Sequence, residues 1–383
     1  MFFYTFSYSL FLQKRRRDLN EQQNLFDIIG ELQEQESDDW YWYFKDYPSQ
    51  NGLKVFSCFA GGGGSTMGYK LASFDVIGCV EIDKRMMTTY IENHNPKYSY
   101  LMDLREFNAI DNNELPSELF DLDILDGSPP CTTFSMCGNR EKVWGVKKKF
   151  KEGQVEQTLD DLPFVFIDTV AKLLPKIVIM ENVEGLLNGK AWKYVQDIYK
   201  KFNKIGYKVK HWLVRGETMG IPQNRHRVIF IATSLNIDLE KLNMSFLYKP
   251  ITFGQVKSEK GTPIKRNLLN LIISNAKYGD RNLENACKRM RGKTAYFNNC
   301  FLYDDKVAPT LTGHNCNIRW CDKCFLSKQD IINISTFPQD YKFPSESLET
   351  ITYICGMSVP PLMIKRIANR IKEFITSYKI IKE

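Results

Sequence analysis

Short apolar runs alternate with helix-like segments along most of the chain, and this alternation restricts the fold more than any other feature. The apolar runs cover residues 53–59, 75–81, 120–125, 177–180 and 228–232, and helix-like segments include 164–174 and 192–204. Strands separated by helices predict an α/β fold with a doubly wound, mostly parallel sheet. Ligands of such sheets bind beyond the carboxyl ends of the strands.

A glycine cluster follows the first predicted strand. Residues 59–64 read Phe-Ala-Gly-Gly-Gly-Gly, and glycine lets the backbone pass close to a ligand because it has no Cβ. Glu81 ends the next strand, where a carboxylate can accept hydrogen bonds from two ribose hydroxyls. A nicotinamide dinucleotide could also bind such a loop. However, proteins that bind it carry the fingerprint G-x-G-x-x-G, and here Thr66 occupies the third glycine position.

A second acidic residue, Asp103, follows a third strand-like segment and could bind an adenine amino group. A single acid of this kind more often caps a helix or lies on the surface. The order of Glu81 and Asp103 at successive strand ends favours a nucleotide-like cofactor instead.

A cysteine and a glutamate also lie at predicted strand ends. Residues 126–131 read Asp-Gly-Ser-Pro-Pro-Cys, so two prolines hold Cys131 at the exit of a strand. An isolated cysteine usually packs in a core. Glu181, in the Glu-Asn-Val-Glu segment 181–184, again ends an apolar run. We therefore expect a nucleophilic thiol and a proton-handling carboxylate on one face.

Basic residues are concentrated in two places. Residues 234–320 hold 14 Lys and Arg against 7 Asp and Glu, in a chain with a net charge of +7. Residues 140–151 hold six Lys and Arg and one Glu, with Trp144 and Phe150 between them. This composition favours contacts with phosphates, and the alternative is a solvated loop.

The ten cysteines show no disulfide framework, which favours a reducing cytoplasm. The apolar start, residues 1–12, has no preceding positive charge and is shorter than the ~20 residues of a membrane span, so we expect no signal peptide, transmembrane helix or membrane partner. A C-x-x-C pair lies in the group His314, Cys316, Cys321 and Cys324. Zinc is one interpretation, but without a second well-spaced pair ordinary reduced cysteines are favoured and no metal is expected.

These motifs resemble those of the cytosine-5 DNA methyltransferase family, in the family's usual order, from residue 54 to residue 375. The F-x-G-x-G loop resembles residues 59–63, the P-C motif 130–131, the E-N-V motif 181–183, the Q-x-R-x-R motif 223–227, and the last two motif blocks 326–341 and 356–361. Met357 stands where the family commonly has asparagine, so no hydrogen bond is carried over to its side chain.

The resemblance implies S-adenosylmethionine as cofactor, S-adenosylhomocysteine as product and four catalytic residues. Cys131 would attack carbon 6 of cytosine, Glu181 would engage ring nitrogen 3 and the exocyclic amine, Arg227 would bind the ring carbonyl, and Arg225 would help hold the site or the backbone. The implied cofactor contacts are Phe59, Ala60, Gly61, Gly63, Glu81, Ile82, Asp103, Leu104, Pro130 and Ser358.

The same resemblance implies a domain organisation and partners. We expect an accessory arm (1–50), a catalytic domain that binds S-adenosylmethionine (51–233), a target-recognition lobe (234–325) and a segment that returns to the catalytic domain (326–383). The expected substrate is a short double-stranded DNA sequence whose cytosine is flipped out of the helix. A cognate restriction endonuclease fits this interpretation, without a stable complex between the two proteins.

Three alternatives remain. A methyltransferase of the same fold could act on transfer RNA with the same catalytic residues, although the basic lobe favours DNA. A catalytically silent relative would not need Cys131, Glu181 and Arg227. A nicotinamide enzyme would have no use for the Pro-Cys pair or the lobe.

Overall fold

A seven-stranded sheet forms the centre of the molecule in the computed structural model, which describes residues 39–130, 161–314 and 317–380. The first eight strands are β1 (Lys54–Cys58), β2 (Asp75–Glu81), β3 (Tyr98–Leu101), β4 (Ile124–Gly127), β5 (Ile177–Val183), β6 (Lys208–Arg215), β7 (Gln223–Asn224) and β8 (His226–Thr233). The order across the sheet is β3-β2-β1-β4-β5-β8-β6. Strands β1 to β5 run parallel, and β8 is antiparallel to both β5 and β6.

Helices cover both faces of this sheet. The α-helices of the described residues are α1 (Gly64–Leu71), α2 (Lys84–His94), α3 (Leu104–Ala109), α4 (Leu162–Leu173), α5 (Trp192–Lys204), α6 (Phe253–Val256), α7 (Asn267–Ser274), α8 (Glu284–Arg291), α9 (Lys328–Ser335), α10 (Leu348–Met357) and α11 (Pro361–Ile380), of which α7 and α8 pack away from the sheet. Strand side chains alternate between the two faces: Val55 and Ile179 pack with α1 and α11, whereas Phe56 and Met180 pack with α4 and α5. Both faces are buried, as a parallel sheet requires.

Three short strands complete the structure. They are β9 (Phe301–Leu302), β10 (Ala308–Pro309) and β11 (Ile318–Arg319). Strand β10 pairs with β7, and β11 pairs with β9. The first of these pairs joins a strand near the end of the basic stretch 234–320 to the Q-x-R-x-R segment.

The predicted fold class is confirmed, and most differences concern where strands begin and end. Strand β2 and helix α5 have the expected bounds. Strand β5 continues beyond the predicted residue 180 to Val183 because its antiparallel pairing with β8 continues to the pair of Val183 and Arg227. Strand β4 begins at Ile124 rather than residue 120, since residues Ser117–Phe120 form a 3₁₀ turn after Pro116.

The residues before β1 pack against the main core, whereas part of the basic stretch 234–320 forms an apolar cluster of its own. Trp42 is buried, and its indole N–H donates to the carbonyl oxygen of Thr336 at 2.9 Å. Residues between Ile264 and Ile318 contribute to a separate apolar cluster, whereas Phe246 and Phe253 pack into the main core. The division into an arm, a catalytic domain and a lobe stays a prediction. Within the described ranges, no helix is long and apolar enough to cross a membrane.

Candidate active site

The glycine loop and Glu81 meet at the carboxyl ends of β1 and β2. One carboxylate oxygen of Glu81 accepts the backbone N–H of Gly61 at 2.8 Å, and the other accepts that of Asp83 at 2.8 Å. Burial raises the pKa of Glu81, and these two backbone donors act in the opposite direction. Each carboxylate oxygen keeps capacity for a second donor, so ribose hydroxyls can still bind.

Two further side chains, those of Tyr341 and His94, pack against the glycine loop. Tyr341 donates from its hydroxyl to the carbonyl oxygen of Gly62 at 2.6 Å. A Cβ on Gly63 would lie 2.0 Å from Nε2 of His94, and Gly63 has a φ of +85°. Only glycine therefore suits this position. Burial lowers the pKa of His94 to about 3, so this imidazole is neutral at pH 7.

Two other predicted cofactor residues, Ser358 and Asp103, lie in segments that contact the glycine loop or the strand of Glu81. Ser358 follows α10, and its Cβ would lie 2.9 Å from a Cβ placed on Gly64. The backbone N–H of Met102 donates to the carbonyl of Glu81 at 3.2 Å, which brings the segment of Asp103 alongside. The Asp103 carboxylate caps α3 and pairs with Arg105. The remaining predicted cofactor residues are half-buried Phe59, Ile82 and Pro130 and buried Ala60 and Leu104.

A charged pair lies where β5 and β8 adjoin. Nε of Arg227 is 2.5 Å from Oε1 of Glu181, and both side chains are largely buried. A guanidinium N–H of Arg227 also donates to the carbonyl of His226 at 2.6 Å. A carboxylate and a guanidinium held together in this way can act on opposite parts of one polar ring.

The E-N-V segment also contacts the Pro-Pro segment. The side-chain amide of Asn182 donates to the carbonyl oxygen of Pro129 at 3.4 Å. Pro129 lies two residues before Cys131. Cys131 itself and the basic segment 140–151 lie outside the described residues, so their predicted roles rest on the sequence.

Arg225 is placed differently from Arg227. It is buried, and one guanidinium nitrogen donates to the carbonyls of Leu311 and Gly356, each at 3.3 Å. Burial lowers the pKa of Arg225, and the nearby Arg227 acts in the same direction. Gln223 accepts the backbone N–H of Leu311 at 3.2 Å. These contacts join the Q-x-R-x-R segment to the end of α10.

Sequence reasoning did not single out two groups near these residues. His226 places its two ring nitrogens 3.0 Å and 2.9 Å from carboxylate oxygens of Glu184 and Glu217. Asp126 is fully buried at the end of β4, where hydroxyl groups surround its carboxylate. A charged residue inside an otherwise apolar strand was the available signal for Asp126.

A metal site receives no support from the part of the chain that the structure covers. Among these residues, no group of three or more His, Cys, Asp or Glu side chains could hold an ion. Cys316, a member of the group weighed for zinc, is outside the described residues.

Comparisons with known proteins point to one family. The sequence profile of the C-5 cytosine-specific DNA methylase family matches residues 53–373. The Type II methyltransferase M.FnuDI of Fusobacterium nucleatum is 29% identical over 364 residues, which cover 86% of this chain and 97% of the relative. The Type II methyltransferase M.HindV of Haemophilus influenzae is 26% identical over 337 residues, covering 84% and 97%.

A solved structure supports the fold independently. The Entamoeba histolytica methyltransferase EhMeth superposes with a TM-score of 0.59 at 15% identity, covering 85% of this chain and 99% of that one. At this identity the likeness concerns the fold alone. The family profile, in contrast, spans most of the sequence and includes every described motif. The chain therefore belongs to the C-5 cytosine-specific DNA methylase family and is a DNA (cytosine-5) methyltransferase.

Proposed function

We propose that this enzyme transfers a methyl group from S-adenosylmethionine to carbon 5 of a flipped-out cytosine in a short duplex DNA sequence, through a covalent Cys131 adduct. The observation that carries the proposal is the Glu181–Arg227 pair, which lies beside the segment leading to Cys131. The names of the relatives add a restriction-modification setting, in which methylation protects DNA from a cognate endonuclease.

The residues of the glycine loop fit this cofactor. Apart from its chain neighbours, no described residue has an atom within 4 Å of the point where a Cβ on Gly61 would be placed, so a ligand can approach the backbone there. Glu81 offers its carboxylate to the ribose, and Ser358 lies against the loop at Gly62 and Gly64. S-adenosylmethionine supplies an electrophilic methyl group on a sulfonium. The protein's part is to hold that group over the cytosine ring.

The protein side chains make the cytosine ring reactive. Carbon 5 of cytosine is a poor nucleophile until the Cys131 thiolate forms a bond to carbon 6. A free thiol with a pKa of ~8.5 is only a few per cent ionised at neutral pH, so a positive site helps. As the bond from sulfur to carbon 6 forms, the ring gains negative charge, and a proton passes through Glu181 to ring nitrogen 3 and returns by the same path when the thiolate leaves. Glu181 also accepts an N–H of the exocyclic amine, and Arg227 donates to the ring carbonyl oxygen and offsets the same charge.

The rest of the reaction follows from that addition. The electron pair of the resulting enamine forms the new bond from carbon 5 to the methyl group, while the bond from the methyl group to sulfur breaks and leaves its electron pair on the sulfur of S-adenosylhomocysteine. A base then removes the proton from carbon 5, the ring double bond re-forms, and the bond between carbon 6 and Cys131 breaks. Arg225 touches backbone carbonyls at its guanidinium, so we assign it to holding the site rather than to contacting the base.

The DNA duplex stays outside the active site while its target base is extruded into the site. Extruding the base costs a few kcal/mol. We assign sequence reading to the lobe of residues 234–325 and catalysis to residues 51–233, with residues 326–383 completing the cofactor site. The 14 Lys and Arg of residues 234–320 favour a phosphate-rich partner. We place the activity in a reducing cytoplasm, which keeps Cys131 a thiol.

A duplex containing 5-fluorocytosine tests the covalent step. Fluorine occupies the position from which the proton must leave, so the adduct cannot break down after methylation. The wild-type protein with S-adenosylmethionine should form a complex that survives denaturing electrophoresis. Cys131→Ala should form none, whereas Cys321→Ala, which removes an exposed cysteine of the lobe, should behave as wild type. A trapped complex with Cys131→Ala would overturn the assignment.

A further inference from the structure

Asp126 is a buried acid between the two halves of the proposed active site. Its side chain is at the carboxyl end of β4 and is 1% exposed. Oδ2 accepts the hydroxyl of Ser57 on β1 at 2.9 Å, and Oδ1 accepts the hydroxyl of Tyr69 on α1 at 3.0 Å. Strand β1 and helix α1 flank the glycine loop, and β4 leads to Cys131. Asp126 therefore links the cofactor loop to the strand of the nucleophile.

The surroundings of Asp126 leave its negative charge poorly compensated. Burial raises its pKa to about 7, while the hydroxyls of Ser57 and Tyr69 act in the opposite direction. The neighbouring carboxylate of Glu181 raises it further. The thiol of Cys58 and the phenol of Tyr90 also lie within electrostatic reach, and neither carries a positive charge. A buried carboxylate with such neighbours is stabilised by any cation that binds nearby.

The sulfonium of S-adenosylmethionine is such a cation. We propose that the Asp126 carboxylate makes the glycine-loop site bind the cationic cofactor more tightly than its uncharged thioether product, S-adenosylhomocysteine. This inference rests on the proposed function, since it requires the cofactor at that loop. Asp126 is then a positioning residue that acts through its charge and touches no reacting atom. Because the uncharged product binds less tightly than the cofactor, fresh cofactor replaces the product more easily after each turnover.

Charge accounts for the expected size and sign of the effect. The two ligands share their adenosine and amino-acid parts, so the ratio of their affinities isolates the methyl group and its positive charge. At an effective dielectric constant of ~20, opposite charges some 10 Å apart attract enough to change binding by roughly tenfold. The preference requires the ionised acid. The affinity ratio should therefore rise as the pH increases from 6 to 8.5, because Asp126 loses its proton across this range.

Calorimetric titration of the full-length protein with each ligand, between pH 6 and 8.5, tests the inference. The wild type should bind S-adenosylmethionine with a preference that grows about threefold to tenfold over this range. In Asp126→Asn, which keeps the shape and loses the charge, the affinity ratio should be lower and independent of pH. A ratio that is the same in both proteins at every pH would overturn the proposal.

Two further variants keep the test decisive if Asp126→Asn does not fold. Ser57→Ala and Tyr69→Phe each remove one hydroxyl that stabilises the ionised acid, so the rise in the ratio should move to higher pH. Glu181→Gln should still show a rise, since Asp126 is intact. A wild-type protein that binds neither ligand would contradict the cofactor assignment itself. Binding of both with a ratio that does not depend on pH would contradict only the role of Asp126.

Discussion

Nε of Arg227 lies 2.5 Å from Oε1 of Glu181, so the two charged groups proposed to receive the cytosine neutralise one another before it enters. The pair also keeps both side chains in one orientation. A cytosine then replaces one set of charge-assisted contacts by another, without a large rearrangement of the protein.

Replacing Arg227 by Lys should therefore impair the chemical step. Lysine keeps the charge but loses the planar fork that binds Glu181 and the ring carbonyl together. We expect kcat to fall by about 10²-fold to 10³-fold, with cofactor affinity nearly unchanged. Methyl-transfer kinetics and calorimetry measure the two quantities. Arg215→Lys, at an exposed end of β6, is the matched control and should retain wild-type kcat. An Arg227→Lys enzyme with wild-type kcat would remove Arg227 from the mechanism.

Arg225→Met should act on stability. It takes the donor away from the buried carbonyls of Leu311 and Gly356, and each unsatisfied group costs about 1–3 kcal/mol. We expect the free energy of unfolding to fall by about 2–4 kcal/mol in urea denaturation. The same substitution at exposed Arg215 should change it by less than about 0.5 kcal/mol. Equal effects at the two sites would contradict the contacts assigned to Arg225.

Glu81→Ala should weaken the cofactor far more than DNA. Its carboxylate is proposed to bind the ribose, and hydrogen bonds to a charged group contribute about 1.5–3 kcal/mol. Affinity for S-adenosylmethionine should fall by about 10-fold to 100-fold. Titration calorimetry gives this value, and fluorescence anisotropy gives the DNA affinity. Glu92→Ala, an exposed carboxylate on α2, should leave both unchanged. Unchanged cofactor affinity in Glu81→Ala would place the ribose elsewhere.

Gly63→Ala should disrupt the loop. The new Cβ would meet the imidazole of His94 at 2.0 Å and would require a φ of +85°. Cofactor binding should be lost, and the free energy of unfolding should fall by more than about 2 kcal/mol. Gly292→Ala provides the comparison: φ is +70° there, but no atom lies within 4 Å of the new Cβ. Its cost should be about 1 kcal/mol, with cofactor affinity retained. Wild-type affinity in Gly63→Ala would show that the loop does not form the cofactor site.

His94 should make the fold sensitive to acid. Its pKa is about 3 in the folded chain and 6.5 when exposed, so the unfolded state binds more protons below pH 6.5. The stabilisation is complete above pH 6.5 and decreases as the pH falls. Between pH 6.5 and pH 5 the loss should be about 2 kcal/mol. Urea denaturation at both pH values should show this slope in the wild type and a weaker slope in His94→Gln. Equal slopes would assign the sensitivity to other groups.

The fold class could be predicted because apolar residues repeat with different periods in strands and in helices. The strands were also recognisable because both faces of the sheet are apolar. The bounds of β2 and α5 follow directly from those periods. The extension of β5 to Val183 could not be predicted, since it depends on pairing with β8, which lies more than 40 residues further along the chain. Local patterns contain no information about which distant strand pairs with which.

The candidate site was predicted in part. The order of the motifs predicts that Glu81, Glu181 and Arg227 lie near strand ends, and they do: Glu81 is the last residue of β2, Glu181 lies two residues before the end of β5, and Arg227 is the second residue of β8. Their roles stay predictions. The different environments of Arg225 and Arg227 do not, because two arginines at alternate positions look alike in sequence. Asp126 received no role because its hydroxyl partners come from β1 and α1, and the sequence does not show that they converge.

The most direct test of the central claim is transfer of labelled methyl from S-adenosylmethionine to unmethylated duplex DNA and, in parallel, to transfer RNA, followed by sequencing at base resolution. The account predicts label only at carbon 5 of cytosine, in one short DNA context, and none with Cys131→Ala. Label in RNA alone, label at another atom, or full transfer by Cys131→Ala would contradict it.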